Sequence, residues 1–374
     1  MPKKIIPIAK PWFSNQEAQA AYNVVKSSWL ISGPAVEKLE KEFAKKSKVK
    51  YAIAVNSGSS ALLVAQQALG ISAGDEIIAP TMTFVSTASS CMYLGARPVF
   101  TDINLSTYCM DPNDIESKIT KKTKAIIPVH YAGQAADLDP ILKIAKKHNL
   151  RVIEDAAEAH LTKYKGKIVG GIGDIGIFSF TPSKVISTGE GGMVVTNNKK
   201  LAEKCRLIRD FYDIKKFKYP ALGFNFRMPD IMGAIGLIQL TKLEKIVKIR
   251  QKNAIKYAKE LVKIDGIIIP FVEKTEWMNF QLYTIRLDLK KITINRDKFI
   301  AILLKKGIHS RLYYPCLHNQ KLFKGINKYK DSQFPNAIVF SKTALAIPIY
   351  PELKESEQNY IINTIKEIIN KYKK

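Results

Sequence analysis

Short apolar runs alternate with amphipathic helical segments between residues 51 and 196, and this alternation limits the possible folds more than any other feature. The runs have the length and residue types of buried strands. Strands alternating with helices predict a mostly parallel sheet covered by helices on both faces. Functional side chains of such sheets collect at the carboxyl ends of the strands. The predicted strands are, in chain order, YAIAV, DEIIAP, RPVFTDI, KAIIPVH, RVIEDAA, GIFSF and GGMVVT.

The segments outside this alternation predict how the chain divides into domains. Before it, NQEAQAAYNVVKSSW and GPAVEKLEKEFAKK show the apolar spacing of two helices. After it, residues 228–264 form one long helical pattern that we interpret as a bridge between domains. We therefore predict a large α/β domain over residues 1–245 and a smaller α+β domain over residues 246–374.

Composition argues against several classes of function. The formal net charge is +26, but the basic residues are spread along the chain and no arginine clusters interleave with aromatic residues. We expect no nucleic-acid partner, because specific readers of nucleic acids use arginine forks and aromatic stacking. The four cysteines form no CxxC pair, so neither a zinc site nor a disulfide framework is predicted. Without an apolar run of membrane-spanning length, we expect a cytoplasmic protein with no membrane partner.

The segment NSGSSA, residues 56–61, follows the first predicted strand and begins a helix. Free backbone N–H groups and the helix dipole at such a position favour an anion. Gly58 and Ser59 are therefore candidate ligands of a phosphate group. Serine and glycine are also common helix caps, so the segment taken alone leaves both interpretations open.

Two later motifs carry ionisable side chains to the same predicted edge of the sheet. Asp155 ends a strand, where a buried carboxylate needs a cationic partner. Lys184 follows the strand that carries Ser179, and an amine that attacks carbonyls must be partly desolvated. A phosphate site, a carboxylate for a ring nitrogen and a lysine amine together fit pyridoxal phosphate. For each charged residue alone, an exposed charge is the competing interpretation.

Over nearly its whole length the sequence resembles the nucleotide-sugar aminotransferases of the DegT/DnrJ/StrS group. The resemblance implies the fold of PLP-dependent transferases of fold type I, with a large α/β/α domain and a smaller C-terminal α+β domain. It also implies pyridoxal 5′-phosphate as cofactor and a homodimer with shared active sites. The matching motifs include SSWLISGPAVEKLEKEFA, VNSGSSALLVAQQALGISAGDEIIAPTMTFVSTASS, GARPVFTDI, KAIIPVHYAGQAADLD, VIEDAAEAH, KGKIVGGIGDIGIFSFTPSKVISTGEGGMVVTNN and GFNFRMPDIMGAIGLIQL.

The resemblance implies a role for each matching residue. Lys184 would form the Schiff base and carry the proton, and Asp155 would pair with the pyridine nitrogen. Phe84 would stack on the ring, although a core position is its ordinary alternative. Glu158 would lie near the ring hydroxyl. The cofactor phosphate would be held by Gly58, Ser59 and Ser179, and by Asn225 of a neighbouring subunit, for which a plain turn residue is the alternative.

The implied reaction moves an amino group from L-glutamate to a nucleotide-diphospho-keto-deoxysugar. The diphosphate needs cationic or N–H donors. Glu158 stands where many relatives have glutamine, which is similar to the perosamine synthase branch and favours amination at C4 of GDP-4-keto-6-deoxymannose. The candidate substrate ligands are Ser32 and Gly33 in the LISGP loop, and Arg311, Tyr313 and Tyr314 in the SRLYYP segment. A tyrosine-rich strand is the alternative for the latter.

The sequence departs from the family pattern at three places. Thr181 stands where histidine is frequent, Leu161 where glycine is frequent, and Phe211-Tyr212 where His-Gly is common. These departures bear on the substrate more than on the reaction. The alternative functions are a sugar dehydratase of the same fold, which would carry histidine at position 184, and a non-catalytic regulator or anion-binding protein. His160 is interpreted as structural, and the histidine spacing predicts no metal site.

Overall fold

The computed structural model describes residues 5–272 and 277–374. Its strands are β1 (Tyr51–Val55), β2 (Glu76–Pro80), β3 (Arg97–Thr101), β4 (Thr123–Ile126), β5 (Arg151–Asp155), β6 (Lys163–Tyr164), β7 (Lys167–Ile168), β8 (Ile175–Ser179), β9 (Gly192–Thr196), β10 (Ile267–Ile268), β11 (Tyr283–Leu287) and β12 (Ala344–Ile347). Its helices are α1 (Asn15–Ser27), α2 (Pro34–Ser47), α3 (Gly58–Ala68), α4 (Val85–Ser89), α5 (Leu138–Lys147), α6 (Lys199–Arg209), α7 (Asp230–Leu261), α8 (Arg296–Lys305), α9 (Lys321–Lys324), α10 (Pro335–Thr343) and α11 (Glu355–Lys371).

Seven strands form one sheet in the order β1-β9-β8-β5-β4-β2-β3. Strand β9 is antiparallel to β8 and to β1, and the neighbouring pairs from β8 to β3 are parallel. The predicted mostly parallel sheet is therefore confirmed. Because β1, β5 and β8 point the same way, the residues that follow them meet at one edge of the sheet.

One predicted strand of this sheet and one predicted helix beside it are shorter than their sequence patterns. KAIIPVH forms a regular strand only to Ile126, since Pro128 has no N–H to donate to a ladder. Pairing resumes as a single bridge between Val129 and Asp155. The helical pattern FVSTASSCMYLGA gives an α-helix only over Val85–Ser89 and continues as a 3₁₀ turn over Ser90–Leu94.

The long helix α7 packs against both N-terminal helices through buried carboxylates. Glu17 of α1 receives hydrogen bonds from Lys242 at 2.6 Å and Gln239 at 2.7 Å. Asp230, the first residue of α7, accepts from the backbone N–H groups of Gly33 at 3.0 Å and Val36 at 2.9 Å. Asp230 thus caps α2 from another helix, because the N-cap residue of α2 is a glycine without a side-chain acceptor.

The packing partners of α7 change along its length. Leu243 and Val247 lie in the core beneath α2 and the large sheet. Tyr257 and Leu261 lie in a second core, under the three-stranded sheet β10-β11-β12. We propose that the domain boundary lies within α7, as the predicted division into residues 1–245 and 246–374 requires. Within the described ranges, no helix is both long and apolar enough to cross a membrane.

We expect Asp230→Ala to lower the free energy of unfolding by about 2 kcal/mol, because α2 loses its cap and buried N–H groups lose their acceptor. Urea unfolding of the cofactor-free protein would measure this. Asp297→Ala is the control: its carboxylate lies in the first turn of α8 but is 81% exposed, and we expect a change within about 0.5 kcal/mol. Equal losses in the two variants would contradict the capping role.

Candidate active site

A pocket of about 320 Å³ lies where the carboxyl ends of β1, β5 and β8 meet. Loops after β1, β2, β5 and β8 line it, and a segment before β12 covers one side. It brings together most of the residues singled out in the sequence. Those that line it are Gly58, Ser59, Phe84, Asp155, Glu158, Ser179, Lys184, Arg311, Tyr313 and Tyr314.

The amine of Lys184 is held at the wall of this pocket by Glu158. Its Nζ lies 3.0 Å from Glu158 Oε1, and the lysine side chain is only 10% exposed. The same carboxylate oxygen accepts from the Tyr314 hydroxyl at 2.7 Å, and Oε2 accepts from the N–H of Ala132 at 2.8 Å. The amine is therefore largely desolvated and fixed in orientation, as a nucleophilic or proton-carrying lysine must be.

Asp155 is the last residue of β5; it is buried and lines the pocket. It accepts from the Thr87 hydroxyl at 2.8 Å and from the N–H of Ala157 at 3.2 Å. Burial raises the pKa of Asp155 above its ordinary value. None of the ion pairs found among the described residues includes it. A ligand that presents a cation to Asp155 would supply the missing partner.

The turn between β1 and α3 forms the opposite end of the pocket. Ser57 caps α3, and the N–H groups of Gly58 and Ser59 stand in the first turn, where no helical acceptor exists. A Cβ at Gly58 would lie 2.9 Å from Cβ of Ser179, so this close approach requires glycine. The Ser59 hydroxyl lies 2.6 Å from that of Ser86. This cluster of N–H and hydroxyl donors suits a phosphate group.

Aromatic side chains form the side of the pocket between these two ends. Phe84 is 52% exposed, which contradicts its core alternative, and its ring lies 5.7 Å from that of Tyr314. The guanidinium of Arg311 lies 4.3 Å from the centre of the Tyr313 ring and donates to the Tyr313 hydroxyl. Tyr131 donates to the carbonyl of Tyr313 and ties this segment to the large sheet. The segment thus lines the pocket, and among the described residues its only regular pairing is a single bridge at Arg311.

Three candidate residues lie outside this pocket in the structure. Ser32 and Gly33 line a separate pocket of about 620 Å³ together with Arg206, Arg209 and Arg227. Gly33 packs so closely on Trp29 that a Cβ would lie 2.3 Å from the indole nitrogen. Asn225 is exposed and lines neither pocket. Within one chain, therefore, the structure does not bring these three residues to Lys184.

Several residues that line the pocket were not predicted from the sequence. Thr83, Ser86 and Thr87 come from the hydroxyl-rich stretch TMTFVSTASS, directly after β2. That composition, at the end of a predicted strand, is the signal that could have identified them. Thr181, one of the departures from the family pattern, also lines the pocket. Leu161 has φ +60°, so this departure keeps the left-handed backbone that a glycine would adopt easily.

A buried network fixes the backbone next to Asp155. Glu154 accepts from the N–H groups of Gly170, Ile172 and Gly173, each at 2.6 Å. His130 Nδ1 accepts from a backbone N–H at 3.0 Å, so its proton is on Nε2, which lies 3.1 Å from Glu154. His130 is therefore structural, and the described residues contain no cluster of side chains that could hold a metal ion.

His160 is buried among three phenylalanine rings and does not reach the pocket. Its ring centre lies 5.2 Å from that of Phe178 and 5.7 Å from that of Phe180. Neither ring nitrogen has a hydrogen-bond partner among the described residues. Burial lowers the pKa of His160 to about 3, so the ring is neutral near pH 7. These contacts support the structural interpretation of this residue.

Comparison with known proteins identifies the family. The model of the DegT/DnrJ/EryC1/StrS aminotransferase family matches residues 12–366. The chain belongs to this family and is a sugar aminotransferase. Its cofactor is pyridoxal phosphate, and the pocket suits a ligand that carries a phosphate and a cationic group.

Individual relatives match the chain over nearly its whole length. The chain is 36% identical to the GDP-perosamine synthase of Caulobacter vibrioides over 97% of this chain and 98% of that one. It is 41% identical to a protein of Geobacillus stearothermophilus called pleiotropic regulatory protein, over 92% of both. The solved PLP form of Spr1654 from Streptococcus pneumoniae superimposes with a TM-score of 0.92 at 26% identity, covering 98% of this chain and 99% of that one.

We expect His160 to make the protein less stable as the pH falls below 6.5. The folded state keeps the ring neutral down to about pH 3, whereas the unfolded state binds a proton from pH 6.5 downward. Stability is therefore full above pH 6.5 and falls by up to about 1.4 kcal/mol per pH unit below it. Thermal unfolding between pH 8 and 5 should show a smaller pH dependence in His160→Leu.

His148→Leu provides the control for this titration. His148 lies on the surface and contacts Glu116 at 2.9 Å, so its removal should leave the pH dependence between 6.5 and 5 nearly intact. If His160→Leu and the wild type had the same pH dependence, burial of a neutral His160 would be ruled out as its source.

Proposed function

We propose that this protein transfers an amino group from L-glutamate to C4 of a nucleotide-diphospho-keto-deoxysugar, with GDP-4-keto-6-deoxymannose as the preferred acceptor. The observation that carries the proposal is the Lys184 amine, 3.0 Å from Glu158, in a pocket that also contains Asp155 and the N-terminus of α3. The relative named GDP-perosamine synthase supports this choice of acceptor. Lysine at position 184 supports amino transfer over the dehydratase alternative.

In this proposal the two ends of the pocket would set the orientation of the cofactor. Gly58, Ser59 and Ser179 would hold its phosphate, and the desolvated Asp155 would keep its ring nitrogen protonated. Phe84 would cover one face of the ring. When bound, pyridoxal phosphate supplies an electron sink for the negative charge that develops on the substrate carbon.

Lys184 would move the proton in both half-reactions. Its Nζ would remove the proton from the α-carbon of L-glutamate and, in the second half-reaction, return a proton to C4 of the sugar. Glu158 restricts where the free amine can lie, because the Lys184 amine and the Tyr314 hydroxyl both donate to its Oε1. The amine therefore has fewer positions available, which favours the orientation needed for proton transfer.

Arg311, Tyr313 and Tyr314 would contact the sugar nucleotide at the mouth of the pocket. The Arg311 residue is exposed while its guanidinium is oriented by the Tyr313 ring, which suits recognition of a diphosphate. Ser32 and Gly33 would contribute from a neighbouring subunit, because in their own chain they line the separate pocket with Arg206 and Arg209.

We also propose that the active sites are completed in a homodimer. Large apolar side chains are exposed on residues 211–222, including Phe217 at 73% and Leu222 at 82%. Asn225, the candidate ligand of the neighbouring subunit's phosphate group, follows directly and is exposed. An exposed apolar segment next to a candidate ligand is typical of a subunit interface. A cytoplasmic location remains part of the proposal.

Lys184→Ala tests the catalytic proposal. We expect loss of the visible absorption band of the lysine-bound cofactor and a fall in amino transfer to GDP-4-keto-6-deoxymannose of at least about a thousandfold, because no other side chain carries the proton. Lys147→Ala is the control, since Lys147 also contacts a glutamate, at 2.7 Å, but on the exposed side of α5. It should keep the band and the rate.

The outcomes separate the competing functions. If Lys184→Ala kept both band and turnover, the proposed role of Lys184 would be wrong. A wild-type band that changes with L-glutamate, without turnover of this sugar, would keep the aminotransferase and reject the acceptor. A wild-type protein that binds the cofactor but gives no change with L-glutamate would favour a regulator.

Leu222→Glu tests the dimer. We expect the wild-type protein to sediment at twice its 42.0 kDa chain mass, and the variant to dissociate at micromolar concentration because a charge replaces apolar surface at the interface. Ile255→Glu, at a position 67% exposed on α7, is the matched control and should stay dimeric. A monomeric wild type would exclude shared active sites.

A further inference from the structure

One buried turn, residues 279–281, bonds to both of the segments that carry Glu158 and Lys184. Nδ2 of Asn279 donates to the carbonyl of Glu158 at 2.9 Å and to that of His160 at 3.0 Å. Nε2 of Gln281 donates to the carbonyl of Ser183, the residue before Lys184, at 2.5 Å. Two side chains of one turn therefore connect the backbones on both sides of the ion pair.

The turn itself has little freedom to move. Oδ1 of Asn279 accepts from the backbone N–H of Gln281 at 2.8 Å, so the Asn279 side-chain amide is fixed to the backbone of its own turn. Both residues are at most 1% exposed. A Cβ at Gly133, where φ is +87°, would lie 1.9 Å from Asn279 Oδ1, so only glycine leaves room for this amide.

The buried guanidinium of Arg250, on α7, holds the turn in place. Nη1 of Arg250 donates to the carbonyls of Phe280 at 3.0 Å and Gln281 at 3.2 Å, and also to that of Ile349 at 3.1 Å. Arg250 is 1% exposed, and among the ion pairs of residues 5–272 and 277–374 it has no carboxylate partner. Three carbonyl dipoles therefore compensate its charge, and moving the turn would take two of these three acceptors away from a buried cation.

We propose that Asn279 and Gln281 are positioning residues that set where the Lys184 amine lies relative to the Glu158 carboxylate, and thereby the geometry of proton transfer. Neither side chain lines the pocket, so each acts through the backbone it binds. Losing one amide would leave a buried carbonyl without a donor and free one of the two segments to shift. This inference rests on the proposed role of Lys184.

Gln281→Met tests the proposal, because methionine keeps the size of the side chain but removes its donor. Gln358→Met is the matched control: Gln358 is also buried, and its Nε2 donates to one backbone carbonyl, that of Asn253, at 2.7 Å, remote from the pocket. Both variants should lower the melting temperature of the cofactor-free protein. Three further quantities would be measured on the loaded enzymes: kcat, KM for the sugar, and the pH midpoint of the visible band.

We expect Gln281→Met to lower kcat by about tenfold or more, because a small displacement of a proton-carrying amine has a large effect on rate. KM for the sugar should change by less than about threefold, since no substrate contact is removed. The pH midpoint of the band should shift, because it reports the surroundings of the Lys184 nitrogen, which faces Glu158. Gln358→Met should keep the wild-type kcat and midpoint despite its lower melting temperature.

A Gln281→Met protein with wild-type kcat and midpoint would overturn the proposal, and so would equal changes in Gln358→Met. If Gln281→Met did not fold, Gln281→Ser would replace it, because the shorter side chain leaves space for a water and the same readouts apply. The Lys184→Ala variant distinguishes failure of the proposed role of Lys184 from failure of the positioning role of Gln281. If that variant kept the band, the role of Lys184 would fail first; if it lost the band while Gln281→Met behaved as wild type, only the positioning role would fail.

Discussion

The carboxylate of Glu158 joins three segments that are far apart in the chain. It receives the amine of Lys184, the hydroxyl of Tyr314 and the N–H of Ala132. A buried ion pair is expensive to desolvate, and hydrogen bonds on the remaining lone pairs offset part of that cost. These three hydrogen bonds persist only if the backbone segments that carry Lys184, Tyr314 and Ala132 keep their positions relative to Glu158. The bonds from Asn279 and Gln281 to those backbones are therefore as much part of the site as the pair itself.

The pocket has opposite electrostatic character at its two ends. At one end Asp155 is a desolvated carboxylate without an ion-pair partner among the described residues. At the other end the first turn of α3 offers N–H groups without helical acceptors. A molecule that is cationic at one end and dianionic at the other satisfies both, which pyridoxal phosphate does when its ring nitrogen is protonated. This polarity is the basis for the proposed orientation of the cofactor.

Local patterns were sufficient for the elements that build this pocket. YAIAV was predicted as a strand and forms β1 over Tyr51–Val55, and the motif that follows it begins α3 as expected. The strands that carry Asp155 and Ser179 also lie where the pattern placed them. The strand predicted from KAIIPVH was too long, because the apolar pattern continues past Pro128 whereas the hydrogen-bond ladder does not. The short hairpin β6-β7 and the last strand, β12, were not identified, because two to four residues carry too little periodicity.

The sequence by itself determined the residues at strand ends and helix N-termini, because each depends on neighbours within a few positions. It also determined the mostly parallel sheet, through the alternation of strands and helices, and the family, through motifs that extend over nearly the whole chain. Only the tertiary structure decided which hydrogen bonds complete the site. Thr87 reaches Asp155 across 68 positions, Tyr314 reaches Glu158 across 156, and Gln281 reaches Ser183 across 98. It also placed Ser32 and Gly33 in a different pocket from Lys184. Such contacts have no local signature, since they form only when packing brings distant segments into register.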